Sequence, residues 1–468
     1  MSYTQCFDVV VLGAGPAGKA AAVTATLLGK RVAIIEKLPV VGGAAVNTGT
    51  VPSKTLRETA LALSGLRARD LYGVDLSLRR SATVDDLLRH ERTVTSSERE
   101  QYRQLLDRYG VTIVHGTGRF LDPHTVGVVH ADGSETQFRA ETIVIAIGSV
   151  PIRPPGLPFE HPRVHDSDEL VDLHVLPRSL AIVGAGVIGS EYACMFTVLG
   201  VPTYLIDSRD VLLPFLDAEL SAALHAAMID LGVRFVWGET VANYDAPAQG
   251  DVILTLASGR TLTADHVLIC AGRASCTEEL NLTAAGLAPT DKGRLAVNAH
   301  YQTAVPHIYA IGDVIGFPAL ASTSAEQGRV AACHICGSTI KTELAPILPT
   351  GIYTIPEVSS AGETETALRE QGIDYVVGRA EYAQTPRGKI IGERTGFLKL
   401  LFRRSDLKLL GVHVIGEQAA ELVHIGLLAL MSEAGGELFL RTCFNYPTLG
   451  ELYKLATHDA LLRRAKGG

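Results

Sequence analysis

Phe7–Ala22 reads FDVVVLGAGPAGKAAA, and Ser179–Ala193 reads SLAIVGAGVIGSEYA. Each stretch passes from an apolar strand through G-x-G-x-x-G into an apolar, alanine-containing helix. A second strand then follows and ends in an acid, Glu36 after RVAII and Asp207 after PTYLI. This order has a physical reason. Gly13 and Gly184 permit the tight turn, and Gly15 and Gly186 let the backbone approach a pyrophosphate. Gly18 and Gly189 allow close helix–sheet packing, while the helix N-terminus faces the phosphates. The acid takes ribose hydroxyls. One G-x-G-x-x-G is weak, because packing alone can produce it. Two copies, each with strand, helix and acid in order, predict two dinucleotide sites, one for a resident cofactor and one for an exchanging one.

The rest of the chain agrees with this reading. Its 468 residues suit two to four domains, and 47% hydrophobic with 20% charged residues supplies sizeable cores. A net charge of -8 with no basic block argues against a nucleic-acid or anionic-membrane surface. Seven cysteines is an odd count for a disulfide scaffold. Cys6, Cys194, Cys270 and Cys443 lie in apolar surroundings and read as buried thiols of a cytoplasmic protein. No charged-then-apolar leader is apparent, and no apolar run approaches the ~18 residues of a membrane span.

ETIVIAIGSVP (Glu141–Pro151, with Gly148) reads as a buried strand leaving one domain for the next, and HVLICAGR (His266–Arg273, with Gly272) repeats the pattern. HIYAIGDVIG places Asp313 at a strand's end, PILPT (Pro346–Thr350) reads as a linker, and GFLKLLF and LKLLGVHVIG read as strands. The expected architecture is α/β: two Rossmann-like domains, at 1–150 and 151–272, a central segment 273–345 completing the first site, and a C-terminal α+β interface domain, 346–468.

GAGPAG with Glu36, the frame GGAAVNTGTVPSK (Gly42–Lys54), AIGS, GAGVIGSE, AGR, YAIGD and PTLGE together resemble the flavoprotein disulfide reductase family, essentially end to end. The resemblance implies that the first fold holds FAD, tightly but non-covalently, and that the second takes NAD(H) or NADP(H). It implies that Gly13, Gly15, Gly18, Glu36 and Gly148 lie on FAD, with Asp313 on the ribityl chain. Ala321 would open a helix aimed at the flavin's O2 edge, where a helix N-terminus favours negative charge. Lys54 would sit near flavin N5 and pair with Glu191 beside the nicotinamide. Gly184, Gly186, Gly189, Asp207, Arg209 and Gly272 fall to the exchanging coenzyme. A homodimer or higher homo-oligomer is implied, with Tyr446 reaching the partner's nicotinamide pocket.

Three departures fall on the thiol half-reaction. Ala45 and Thr50 stand where the family carries two cysteines, and Tyr446 stands where it carries a histidine base. A tyrosine, with an ordinary pKa near ~10, is no base at neutral pH without a large shift. NTGTVPSKTLRE, YAIGDVIGFPALASTSAEQG and FNYPT are similar to the soluble, Si-specific pyridine nucleotide transhydrogenase branch. That resemblance implies ping-pong hydride transfer from NADPH to flavin and from flavin to NAD+, through one site and without a disulfide. An NAD(P)H-dependent quinone reductase and a nucleotide-sensing flavoprotein are the alternatives.

Two residues read either way. Asp207 favours a 2′-hydroxyl; Arg209 is either a clamp for a 2′-phosphate or a surface arginine of an ordinary NAD site. Val187 either leaves the flavin accessible, where relatives carry an aromatic lid, or is a core residue of its helix. Cys333 and Cys336 form a C-x-x-C with no second pair to complete a metal site and read as structural thiols. His413, His424 and His458 lack ligand spacing, so no metal is expected.

Overall fold

The computed structural model describes residues 4–66, 83–393 and 395–466. The strand Thr4–Leu12 runs parallel to Val32–Glu36 on one side and to Glu135–Ile145 on the other. Thr112–His115 and Ile308–Ala310 extend the parallel pairing in a seven-stranded sheet. Val9, Val10 and Val11 are all buried, as a parallel strand covered on both faces requires. The helix Pro16–Leu27 covers one face and packs against Ala321–Ile335. Small residues allow that approach: a Cβ on Gly328 would lie 2.4 Å from the Ala17 carbonyl oxygen. Gly328→Ala should therefore cost about 1–3 kcal/mol, read as a lower urea midpoint at unchanged slope.

The second motif builds a separate five-stranded parallel sheet in the order Arg234–Trp237, Thr203–Asp207, Leu180–Val183, His266–Ile269, Val164–Asp166. The chain leaves the first unit through Ser149–Pro151 and returns through Arg273–Ser275, and these two segments pair antiparallel. Arg273 ties the crossing, donating from Nε to Ser149 Oγ (3.0 Å) and pairing through Nη1 with Asp168 (2.8 Å).

The C-terminal unit is a five-stranded antiparallel sheet, Thr350–Ile352, Val358–Gly362, Leu409–Ile415, Phe397–Arg403 and Tyr375–Glu381, with the helices Ala419–Met431 and Glu451–Ala465 packed on it. Both runs read as strands from their composition are strands here, adjacent and antiparallel. Two buried cations join this unit to the others. Arg57, from the first unit, donates from Nε to the Thr354 carbonyl (3.0 Å) and pairs with Glu357 (3.1 Å). Lys399 is fully buried and pairs with Asp217 (2.7 Å), Glu219 (3.0 Å) and Glu365. Those three carboxylates lie close enough to hold a metal ion, but the Lys399 ammonium already pairs with all three.

The thiols depart in part from expectation. Cys194 is buried and Cys270 largely so, whereas Cys6 and Cys443 are exposed, and all seven are free. Cys6 lies on the outward pleat, beside inward Phe7, before the sheet becomes covered on both faces. Cys443 lies just after the short helix Gly436–Arg441. Cys333 is buried near the end of its helix, and Cys336 is the helix's C-cap. Among the described residues no helix is long and apolar enough to cross a membrane.

Candidate active site

The two glycine turns superpose in their physics. Gly13 has φ +102° and Gly184 φ +108°, and a Cβ on either would meet a carbonyl oxygen at 2.4 Å, from Ala146 and Cys270 respectively. Only glycine fits. On Gly18 and Gly189 a Cβ would lie 2.0 Å from the carbonyl of the first glycine, which is the close helix–strand packing expected of them. Gly15 has only Gly43 Cα nearby, at 3.8 Å, and Gly186 has nothing within 4 Å, so the middle glycines face open space.

The acids do something that motif spacing did not reveal: each one staples its own glycine turn. Glu36 accepts from the N–H of Ala14 (2.7 Å) and of Leu38 (2.9 Å). Asp207 accepts from the N–H of Ala185 (2.7 Å) and of Arg209 (2.9 Å). Electrostatically the copies then diverge. Burial raises the Glu36 pKa above the usual carboxylate value. Burial also pushes Asp207 upward, but the Arg209 guanidinium and the backbone donors outweigh it and hold the carboxyl at about 2. Arg209 reaches Asp207 with Nε (2.9 Å) and Nη2 (2.8 Å).

Between the two folds lies an ion pair. Lys54, from the helix Thr50–Ser64, places Nζ 2.6 Å from Oε2 of Glu191, on the helix Val187–Val198. Glu191 Oε1 accepts from the backbone N–H of Tyr353 (2.9 Å), and Lys54 Nζ lies 4.8 Å from the centroid of the Tyr353 ring. Each member comes from a different unit of the fold. Tyr353 was not foreseen; no motif marks it, and only the strand Thr350–Ile352 carries it to the pair.

The Gly42–Lys54 segment keeps its shape without sulfur. The Gly42 N–H donates to the Ala14 carbonyl (2.9 Å), fastening the segment to the first glycine turn. Asn47 Nδ2 donates to the carbonyls of Val41 (3.1 Å) and Gly43 (2.8 Å), and Asn47 Oδ1 accepts from Arg99 (2.6 Å). Ala45 is half-buried and Thr50 exposed at the helix start. Thr48 Oγ1 is buried and has no hydrogen-bond partner.

Asp313 sits in a short 3-10 turn just past Ile308–Ala310 and accepts from Ser149 Oγ (2.7 Å). Gly148 (φ +70°) and Gly272 (φ +98°) take the left-handed bends that precede the two crossing segments. Ala321 opens its helix with no side chain capping it, which leaves the first N–H groups for a ligand. Val187 is half-buried and packs against the core of its unit. Tyr446 is 70% exposed. Leu428, Leu438, Leu455 and Leu462, on the neighbouring C-terminal helices, are exposed as well.

Comparison with known proteins agrees with this geometry. Residues 7–328 match the family "Pyridine nucleotide-disulphide oxidoreductase", and residues 348–457 match its dimerisation domain. The chain is 46% identical over 458 residues, 97% of each chain, to a soluble pyridine nucleotide transhydrogenase of Mycobacterium tuberculosis. It is 42% identical over 467 residues, 99% of this chain and 100% of the relative, to the one of Vibrio atlanticus. Among solved structures, LpdA of M. tuberculosis aligns with TM-score 0.89 at 27% identity, over 97% of this chain and 99% of that one. The HOCl-induced flavoprotein disulfide reductase RclA of Escherichia coli aligns with TM-score 0.87 at 25% identity, over 96% and 99%. On fold and sequence alike, the chain belongs to the pyridine nucleotide-disulphide oxidoreductase family, with that family's C-terminal dimerisation domain.

Proposed function

We propose that this chain is an FAD-dependent transhydrogenase that moves hydride between NADPH and NAD+, working as a homodimer. The observation that carries the reading is the juxtaposition of two complete dinucleotide folds at the Lys54–Glu191 pair with Ala45 and Thr50, not thiols, in the adjoining segment. The residues present fit a flavin dinucleotide in the first fold. Gly15 leaves open space that a side chain would fill, Gly43 packs so close to it that a Cβ would lie 2.8 Å from the Gly15 Cα, Thr48 Oγ1 is buried without a partner among the described residues, and Ala321 offers an uncapped helix start. When bound, FAD supplies the hydride acceptor and donor.

The chain's own residues position and polarise. Gly13, Gly15 and Gly18 would admit the pyrophosphate, while Glu36 would receive the ribose and Asp313 the ribityl hydroxyls. Lys54 would stand beside the ring, and Glu191, 2.6 Å from its Nζ, fixes the lysine's direction. Gly184, Gly186 and Gly189 would seat the exchanging nucleotide, and holding it beside the first fold would supply the proximity term. Tyr446 of each protomer completes the other protomer's pocket, and the exposed leucines around it form the contact.

Stopped-flow spectroscopy tests this reading. NADPH should bleach the yellow protein by one hydride per flavin with no long-wavelength thiolate–flavin band, and NAD+ should restore the colour faster than menadione does. Faster recovery with menadione means a quinone reductase; a thiolate band means a second redox centre.

A further inference from the structure

The chain contains its own control for how the second ribose pocket works. In the first fold Glu36 accepts the N–H groups of Ala14 and Leu38 and, among the described residues, no guanidinium. In the second, Asp207 accepts four hydrogen bonds: from the N–H groups of Ala185 and Arg209, and from Nε and Nη2 of the Arg209 side chain. A carboxylate has about four lone-pair sites, so the bidentate fork fills what the backbone leaves open. The repeat thus presents one open acid and one sealed acid. The seal is placed to move. The Arg209 side chain is 45% exposed, while its backbone is pinned by its own N–H on Asp207 and by its carbonyl, which accepts from the Gly238 N–H (3.2 Å).

We infer that Arg209 is a displaceable lid on Asp207 that sorts the two coenzymes at one pocket. NADP(H) binds with the pair intact, the free Nη1 edge of Arg209 taking the 2′-phosphate; NAD(H) binds only after its 2′-hydroxyl has displaced Arg209 from Asp207. The first half follows from the guanidinium's five donors, of which Asp207 uses one edge and a phosphate matches another. The pair also screens the phosphate from the Asp207 charge. The second half follows from the filled acceptor sites, because a hydroxyl can donate to Asp207 only where an Arg209 N–H has left. Arg209 therefore helps one coenzyme and competes with the other.

The inference rests on the proposed function only in taking the Gly184–Asp207 fold as the exchanging site, and binding alone tests it. Isothermal titration of the yellow holoprotein with NADP+ and NAD+, and with the fragments 2′,5′-ADP and 5′-AMP, isolates the 2′ group. In Arg209→Gln, NADP+ and 2′,5′-ADP should bind about 10- to 100-fold more weakly, as expected for losing a charge-assisted contact. NAD+ and 5′-AMP should bind severalfold more tightly. Arg209→Lys, which keeps charge without the fork, should fall between wild type and Gln for the phosphorylated ligands. NADP+ affinity kept in Arg209→Gln, NAD+ affinity unchanged or lower, or an equal loss for both coenzymes each overturns the inference. No hydride moves in these titrations. A protein that shows the opposite shifts but no transhydrogenation keeps this inference and loses the proposed function, and the converse result separates them the other way.

Discussion

Lys54→Met will slow bleaching of the bound flavin by NADPH by about 100-fold or more, the scale of losing one preorganised charge where charge develops in a transition state. Lys54 Nζ stands 2.6 Å from a Glu191 carboxylate whose side chain is only 6% exposed, while the Lys54 side chain is 27% exposed. The substitution also leaves Glu191 with the Tyr353 N–H as its remaining donor to Oε1, an uncompensated buried charge. Glu191→Gln should slow the same step less, because the lysine persists without its guide. Lys54 and Glu191 act as a unit, so the double variant should be no slower than Lys54→Met alone. Rapid-mixing absorbance measures all three. A Lys54→Met rate within threefold of wild type would remove this pair from the chemistry.

The second large effect is on stability. Lys399→Met should destabilise the fold by about 3–5 kcal/mol, because it strands carboxylates whose shared partner is the buried ammonium. Lys399 is fully buried and Asp217 nearly so, and Asp217 also caps the helix Ala218–Leu231 and accepts from the Glu365 N–H (3.1 Å). One side chain thus holds the nucleotide-binding unit to the C-terminal sheet. Burial alone would raise Asp217 and Glu365 and lower Lys399. Their mutual hydrogen bonds win, so both carboxyls lie below and the ammonium above their ordinary values. A depressed carboxyl stabilises above its unfolded value, and that contribution is lost as pH falls through the folded one. A raised ammonium stabilises below its unfolded value and is lost as pH rises through the folded one. Both contributions are therefore present across neutral pH in the wild type. In Lys399→Met the carboxylates repel until they are protonated, so its deficit should shrink towards acid pH. Urea midpoints of both proteins at pH 5 and pH 8 check this, and an equal deficit at the two pH values rules out a charge origin.

Much of this was legible in the sequence, because the glycine turns are short-range devices. Gly13 and Gly184 declare a backbone that no side chain tolerates, and the distance from turn to acid is fixed by one helix and one strand. The Lys54–Glu191 pair was legible only through family resemblance, since its partners lie far apart in the chain and no local pattern joins them. Tyr353 and Lys399 were hidden for the same reason. An aromatic in YTIPE and a lysine in FLKLLF look ordinary until distant strands bring their partners. Cys6 was misjudged because apolar neighbours in sequence do not say which pleat of a strand is covered. Arg209 was visible, yet its attachment to Asp207 is a matter of rotamer, on which spacing is silent.

The antiparallel crossing of Ser149–Pro151 and Arg273–Ser275 has an evolutionary and practical corollary. Where outgoing and incoming threads lie side by side, roughly 4.8 Å apart as paired strands are, everything between them is a cassette whose ends already meet. Excising it and bridging the stumps with a short turn demands no rerouting of the host. The same adjacency lets an insert enter or leave the host at a single point of the chain.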